Sequence, residues 1–219
     1  MQSILVIGST GNLGRAVVTA LSTKGMHVRA AARDPGKVAP GAGVEPISFD
    51  YAKPTTHGAA LEGATGLLLI APPLDPEAPA KLNPIIALAK ARGVRHVVLV
   101  SALGVDAAEQ APLRIVERQV LASGVPATIL RPNFFMENFS TGFLAPMVKQ
   151  GGIYLAAADG QTSFISTTEI AEVVAATFMK GLTSKEYNLT GPAALDHAGV
   201  AAIISRVSGK PVSYQAISE

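Results

Sequence analysis

Short runs rich in Val, Ile and Leu alternate along the chain with longer stretches in which apolar residues return every three or four positions. The first pattern suits strands buried on both faces and the second suits amphipathic helices, so their alternation predicts a parallel sheet covered by helices. The strands fall at Ser3 to Ile7, His27 to Ala31, Glu45 to Phe49, Gly66 to Ile70, His96 to Val100 and Ala127 to Leu130. Between them, Leu13, Val17, Val18 and Leu21 share a helical face, as do Leu82, Ile85, Ile86 and Ala89, and again Ile115, Val116, Val120 and Leu121. Gly25, Gly93 and Gly124 each follow such a stretch, where a left-handed C-terminal cap is expected. The fold class is α/β, a Rossmann doubly wound parallel sheet with strand order 3-2-1-4-5-6.

Beyond Pro132 the rhythm changes. The pattern predicts a helix over Phe134 to Lys149, a strand near Ile153 to Ala156, a short strand at Ser163 to Ser166, and a helix capped by Thr168 that runs to Lys180. Two more short strands, Tyr187 to Leu189 and Val212 to Tyr214, flank a helix from Asp196 to Val207. Residues 1–219 are read as a single domain in which 133–219 contribute a small substrate-side cap.

Composition narrows the chemistry. With 48% hydrophobic and 16% charged residues, the 219-residue chain can bury a sizeable core and is not a disordered one. A net charge of +2 with scattered Lys and Arg gives no electrostatic footprint for nucleic acid. The absence of cysteine removes disulfides, thiolate metal sites and a Cys nucleophile, and fits a cytoplasmic location. His27, His57, His96 and His197 lie far apart, so no metal site is expected. The opening apolar run reads as a buried strand rather than a signal peptide, and no stretch has the length of a membrane span.

The strongest motif is Gly8-Ser9-Thr10-Gly11-Asn12-Leu13-Gly14, between the first strand and the first helix. Gly8 allows a tight turn, Gly11 lets the backbone approach a diphosphate, and Gly14 permits close helix–strand packing. Free amides at the helix start then favour phosphate charge. At the end of the second strand, Arg33 and Lys37 stand where an NAD site would carry an acid; they suit the extra phosphate of NADP(H), which is preferred over NAD(H). The other reading leaves both cations solvated and gives the ribose to Asp34.

On these residues the chain resembles the NmrA-like group of atypical short-chain dehydrogenases/reductases. The resemblance also rests on Arg33-Asp34-Pro35, Phe49-Asp50, Ala60-Leu61-Glu62-Gly63, Val100-Ser101-Ala102-Leu103-Gly104, Ser123 to Asn138, and Tyr187-Asn188-Leu189-Thr190-Gly191-Pro192. Within the group it is similar to bacterial NAD(P)H:quinone oxidoreductases and dye reductases. The resemblance implies that Ser9, Thr10, Asn12 and Leu13 line the diphosphate, that Arg33 and Lys37 meet the adenosine phosphate, and that Asp50 and Tyr51 lie near adenine. It further implies that Ala71, Pro72 and Pro73 flank the ribose, and that Ser101, Pro132, Asn133 and Phe134 border the nicotinamide. Members usually run on for several tens of residues past the point matching Tyr214, so part of a substrate-covering lobe is expected to be missing.

Dehydrogenases and epimerases of this superfamily pair a Tyr acid with a Lys four residues later. Here Tyr51, Tyr154, Tyr187 and Tyr214 are followed at that distance by Thr55, Ala158, Gly191 and Ser218, which disfavours alcohol–ketone chemistry and an epimerase. In the pair's usual place, the helix Pro112 to Ser123 offers Arg114, Glu117 and Arg118, whose spacing reads as surface ion pairing. Hydride delivery to a quinone needs no strong side-chain acid, so positioning supplies the catalysis. Asn133 could orient a carbonyl or carboxamide and Phe134, Phe135 and Phe139 could stack on a planar acceptor, or the phenylalanines could be ordinary core. Ser101 could hydrogen-bond substrate or nicotinamide, and without a nearby histidine it is not a nucleophile; His96 reads as structural and Asp159-Gly160 as a turn. The expected function is an NADPH-dependent oxidoreductase acting on a quinone or similar small planar electrophile. The alternative is a non-catalytic NADP(H)-binding redox sensor acting through a protein partner.

Overall fold

The structure, a computed structural model, describes residues 2–71, 75–181 and 184–218. They fall into two compact units: residues up to Pro132 with Thr168–Leu189, and Asn133–Thr167 with the residues from Thr190 onward.

The first unit is built on a seven-stranded sheet from β1 (Ser3–Ile7), β2 (His27–Ala32), β3 (Val44–Ser48), β4 (Gly66–Ile70), β5 (His96–Val100), β6 (Ala127–Pro132) and β8 (Lys185–Leu189). Its order is β3-β2-β1-β4-β5-β6-β8 and every pairing is parallel. The expected six-strand order therefore holds, and the stretch around Tyr187 adds a seventh strand beside β6. Both faces of the central strands are covered, which is why these strands read as unbroken apolar runs. Leu5, Ile7, Leu67, Leu69, Val97, Leu99 and Ile129 share a core with α2 (Thr55–Leu61), α3 (Ala78–Ala91) and α4 (Pro112–Ala122). The alternate residues Ile4, Val6, Leu68 and Val98 are equally buried on the other face. There α6 (Thr167–Lys180) brings in Phe178, which crowds Gly66 together with Ile4.

The first helix, α1 (Asn12–Thr23), buries Leu13, Val17, Val18 and Leu21, and α3 buries Leu82, Ile85, Ile86 and Ala89, as their spacing predicts. Gly25, Gly93 and Gly124 all take positive φ. The stripe expected on α4 is corrected: Val116 and Val120 are buried, but Ile115 and Leu121 are exposed. The inward face is completed by Leu113 and by Glu117, a carboxylate whose burial a purely apolar pattern cannot anticipate.

The second unit departs furthest from the sequence pattern. No continuous helix spans Phe134 to Lys149; a 3₁₀ turn at Met136–Phe139 is followed by the short α5 (Ala145–Lys149). Gly142 lies so close to Asn138 that an added Cβ would sit 2.7 Å from its Cα, a chain reversal that a continuous helix could not make. The stretch from Ser163 to Ser166 makes only isolated bridges nearby, Thr162 with Leu195 and Phe135 with Ile165, rather than a strand. α6 starts at Thr167, so Thr168 lies inside its first turn instead of capping it. β7 (Gly152–Leu155) pairs in parallel with β9 (Ser213–Ala216), and α7 (His197–Ser208) is capped by Asp196, whose side chain accepts from the Gly199 N–H at 2.6 Å. No helix among the described residues is long and apolar enough to cross a membrane.

Each unit buries histidine, His57 and His96 in the first and His197 in the second. His96 Nε2 lies 2.9 Å from Thr128 Oγ1, with its ring against Phe178. His197 is enclosed by Phe134, Phe139, Phe164 and Tyr214, and neither of its ring nitrogens finds a hydrogen-bond partner among the described residues. Burial lowers the pKa values of His96 and His197, an effect that Asp196 only partly offsets at His197. As pH falls, the unfolded chain takes up these protons first, at about pH 6.5, so the folded state loses stability below that point. Exchanging His197 for phenylalanine should therefore shrink the drop in melting temperature between pH 7 and pH 5; an unchanged drop would show that His197 carries none of it.

Candidate functional site

The strand order reverses between β1 and β4, and in doubly wound sheets ligands bind beyond the carboxyl ends of the strands at such a point. The glycine loop lies there. Gly8 has φ +86°, and its carbonyl accepts the Gly11 N–H at 3.1 Å to close the turn. Gly14 is required by contact inside the protein, because a Cβ there would lie 2.0 Å from the Gly8 carbonyl oxygen. Gly11 is different: its backbone is extended, and a Cβ would meet only the Gly8 oxygen at an ordinary 3.5 Å. Its exposed side leaves the backbone open to a ligand. Gly11 forms the N-cap of α1 without a side-chain hydrogen bond, and no acidic residue occupies the first turn. The amides of Asn12, Leu13 and Gly14 thus form a helix start left to an external anion.

The loop's side chains divide the work. Ser9 is buried and its hydroxyl donates to the Ala31 carbonyl at 2.7 Å, tying the loop to β2. Arg15 Nε donates to the Thr10 carbonyl at 2.9 Å, and the Leu13 side chain enters the core, so Leu13 can offer a ligand only its backbone. Just past β2, Arg33 and Lys37 are exposed and neither makes an ion pair with a described residue. Between them Asp34 accepts from the Gly36 N–H at 3.0 Å, which caps a 3₁₀ turn at Pro35–Lys37 and engages that acid locally. The cradle fits the diphosphate of a dinucleotide.

After β3, Asp50 accepts the Ala52 N–H at 3.0 Å. Tyr51 packs against the core, edge-on to Phe49 at 5.0 Å; its buried hydroxyl has no partner among the described residues, and burial pushes its pKa far up. Ala71 directly follows β4, whereas Pro72 and Pro73 lie outside the described residues. Ser101 follows β5, and Pro132 ends β6, where its carbonyl accepts the Leu103 N–H at 3.0 Å. Gly8, Arg33, Asp50, Ala71, Ser101 and Pro132 thus all stand at or just past the carboxyl ends of strands of one sheet. Asn133 and Phe134 belong to the second unit. There Asn133 Oδ1 accepts the Phe134 N–H at 2.8 Å, and the Phe134 ring lies 5.7–5.9 Å from Phe139, Phe143 and Phe164 as part of an aromatic core.

One charged cluster was not legible as such in the sequence. Glu117 is fully buried, not on the surface, and is gripped by Arg131 through two 2.8 Å hydrogen bonds, Nε to Oε1 and Nη2 to Oε2. Arg114 adds a third bond at 2.9 Å, and Glu186 from β8 accepts from Arg131 at 2.5 Å. The buried Ser101 hydroxyl, without a well-formed hydrogen bond, faces the same carboxylate. Burial alone would raise the Glu117 pKa, but the hydrogen bonds from Arg131 and Arg114, with the Ser101 hydroxyl facing the carboxylate, outweigh it and the net shift is downward. The cluster ties α4 to β6 and β8 through salt bridges.

Comparison with known proteins agrees with this architecture. The chain is 34% identical over 222 residues to prestalk A differentiation protein A of Dictyostelium discoideum, covering 99% of this chain and 73% of that protein. It is 34% identical over 224 residues to the NAD(P)H azoreductase of Xenophilus azovorans, covering 98% and 77%. The Escherichia coli NADPH-dependent quinone oxidoreductase QOR2, solved with NADPH, superimposes with a TM-score of 0.81 at 28% identity, covering 100% of this chain and 79% of that one. With a match to the NmrA-like family running over residues 1–219, the chain belongs to that family.

Proposed function

We propose that this protein transfers hydride from NADPH to a quinone or a similar small planar electrophile. It is an NAD(P)H-dependent oxidoreductase by kinship with the azoreductase and quinone oxidoreductase to which it is similar. The reading goes further in naming the coenzyme and the acceptor. The observation that carries it is the uncapped glycine turn at the switch point, with Arg33 and Lys37 unpaired nearby in sequence past β2. In this reading the amides of Asn12, Leu13 and Gly14 hold the diphosphate, while the Arg33 guanidinium, seconded by Lys37, pairs with the phosphate on the adenosine ribose. Bound there, the nicotinamide supplies two electrons and a proton as hydride. The reduced acceptor takes its second proton from water, so no tyrosine acid is needed and placement carries the catalysis.

Mixing the purified protein with NADPH and a panel of small quinones tests the activity by loss of absorbance at the nicotinamide band. Saturable oxidation supports the reading, and tight NADPH binding without turnover would replace it with the redox-sensor reading. Arg33→Ala should weaken NADPH roughly 10- to 100-fold, the worth of charge-assisted hydrogen bonds, and leave NADH nearly untouched. Equal losses for the two coenzymes would refute the phosphate assignment.

A further inference from the structure

A cavity of about 480 Å³ lies wholly within the second unit, between the 3₁₀ turn at Met136–Phe139, α5 and α7. Its size falls in the range of small-molecule sites, about 300–1,000 Å³. Phe139, Phe164, Val200, Ile203 and Ile204 contribute to an almost entirely apolar wall. Lys149, in the last turn of α5, is the single charged residue among the described ones that line it; it makes no ion pair with a described residue, and no carboxylate of a described residue lines the cavity. On α7, Val200 and Ala201 are buried in the unit's core, whereas the lining residues Ile203 and Met136 stand 38% and 43% exposed. Large side chains left in water around a concave apolar site mark a place where something apolar is taken up. The unpaired ammonium beside them selects the sign of that molecule.

We propose that this cavity binds a free, small, acidic amphiphile, an apolar chain or ring carrying one carboxylate or sulfonate, with the apolar body against Phe139, Phe164 and Ile204 and the anionic group on Lys149. This rests on the second unit alone and is independent of the coenzyme and the reaction.

Calorimetry of the full chain with decanoate and, as a chain-matched opposite, decyltrimethylammonium provides the test. Decanoate should bind one to one and the cation at least fivefold more weakly. Lys149→Met should erase that preference. Ile203→Glu, at a lining position 38% exposed, should weaken decanoate by a similar factor and strengthen the cation. NADPH affinity, read in parallel, should stay unchanged in both variants, which separates this site from the coenzyme reading. Equal binding of the two amphiphiles, decanoate binding indifferent to Lys149→Met, or no binding would overturn the proposal. So would sedimentation showing that two copies of the chain bury this face against each other, or a protein that binds phosphatidylglycerol vesicles but not dissolved decanoate.

Discussion

Replacing Arg131 with methionine is expected to destabilise the protein by about 3–5 kcal/mol, the cost of leaving a buried carboxylate without its partner. Arg131 is 3% exposed and Glu117 fully buried, so the orphaned charge has no water to turn to. Arg114 alone would remain on Oε2, and the oxygen that accepts from Arg131 Nε would lose that bond. The double variant Glu117→Leu with Arg131→Met removes both charges and should recover most of the loss, because a buried ion pair is often no better than an apolar pair of similar volume. The partners Glu186 and Asp106 are both more than 40% exposed and can return to solvent. Urea denaturation of the wild type, both single variants and the double gives the coupling energy directly. A single-variant loss below about 1 kcal/mol would mean that the cluster is surface chemistry after all. The acid limb carries the same sign: because Glu117 is held below its ordinary value, its contribution is present above about pH 4.5 and is lost as pH falls through the native pKa.

This cluster also shows where a sequence stops being readable. β1, β4 and β5 lie where the apolar runs place them, because strands buried on both faces have no other way to satisfy the pattern. The α4 stripe failed by mixing Ile115 and Leu121 with the buried Val116 and Val120. The available signal was the spacing Leu113, Val116, Glu117, Val120, one face with an acid in it, together with an arginine at the end of the apolar run Ala127 to Leu130. Each charge looked like surface when read alone, and only the β6 register brings Arg131 over α4. In the second unit local pattern lost to tertiary contact. Phe134 to Lys149 has helical hydrophobicity, yet the aromatic cluster around His197 and the close approach at Gly142 fold it into two short turns. The glycine loop was legible because its demands are local: a positive φ at Gly8 and no room for Cβ at Gly14.

Gly14 and Gly11 of that loop give the most discriminating pair of substitutions. Gly14→Ala places a methyl group 2.0 Å from the Gly8 carbonyl oxygen, 2.7 Å from its carbon and 2.8 Å from Ser9 Cα, all of them backbone atoms that no rotamer change can move aside. Either α1 must recede from the turn or the turn must open, so we expect a loss of at least about 1–3 kcal/mol in stability together with nucleotide binding reduced beyond detection. Gly11→Ala meets no such obstacle. Its φ of −75° and ψ of 171° suit any residue, and the new methyl touches only the Gly8 oxygen at 3.5 Å. Stability should therefore change by no more than about 1 kcal/mol, the scale of an N-cap exchange. If a diphosphate lies against this backbone, however, that same methyl occupies its place, and NADPH affinity should fall roughly 100-fold in a protein that melts almost as the wild type does. Calorimetric titration beside a thermal melt separates the two effects for each variant. A Gly11→Ala protein that still binds NADPH as tightly as the wild type would show that the diphosphate does not lie in this turn, whatever the fate of Gly14→Ala.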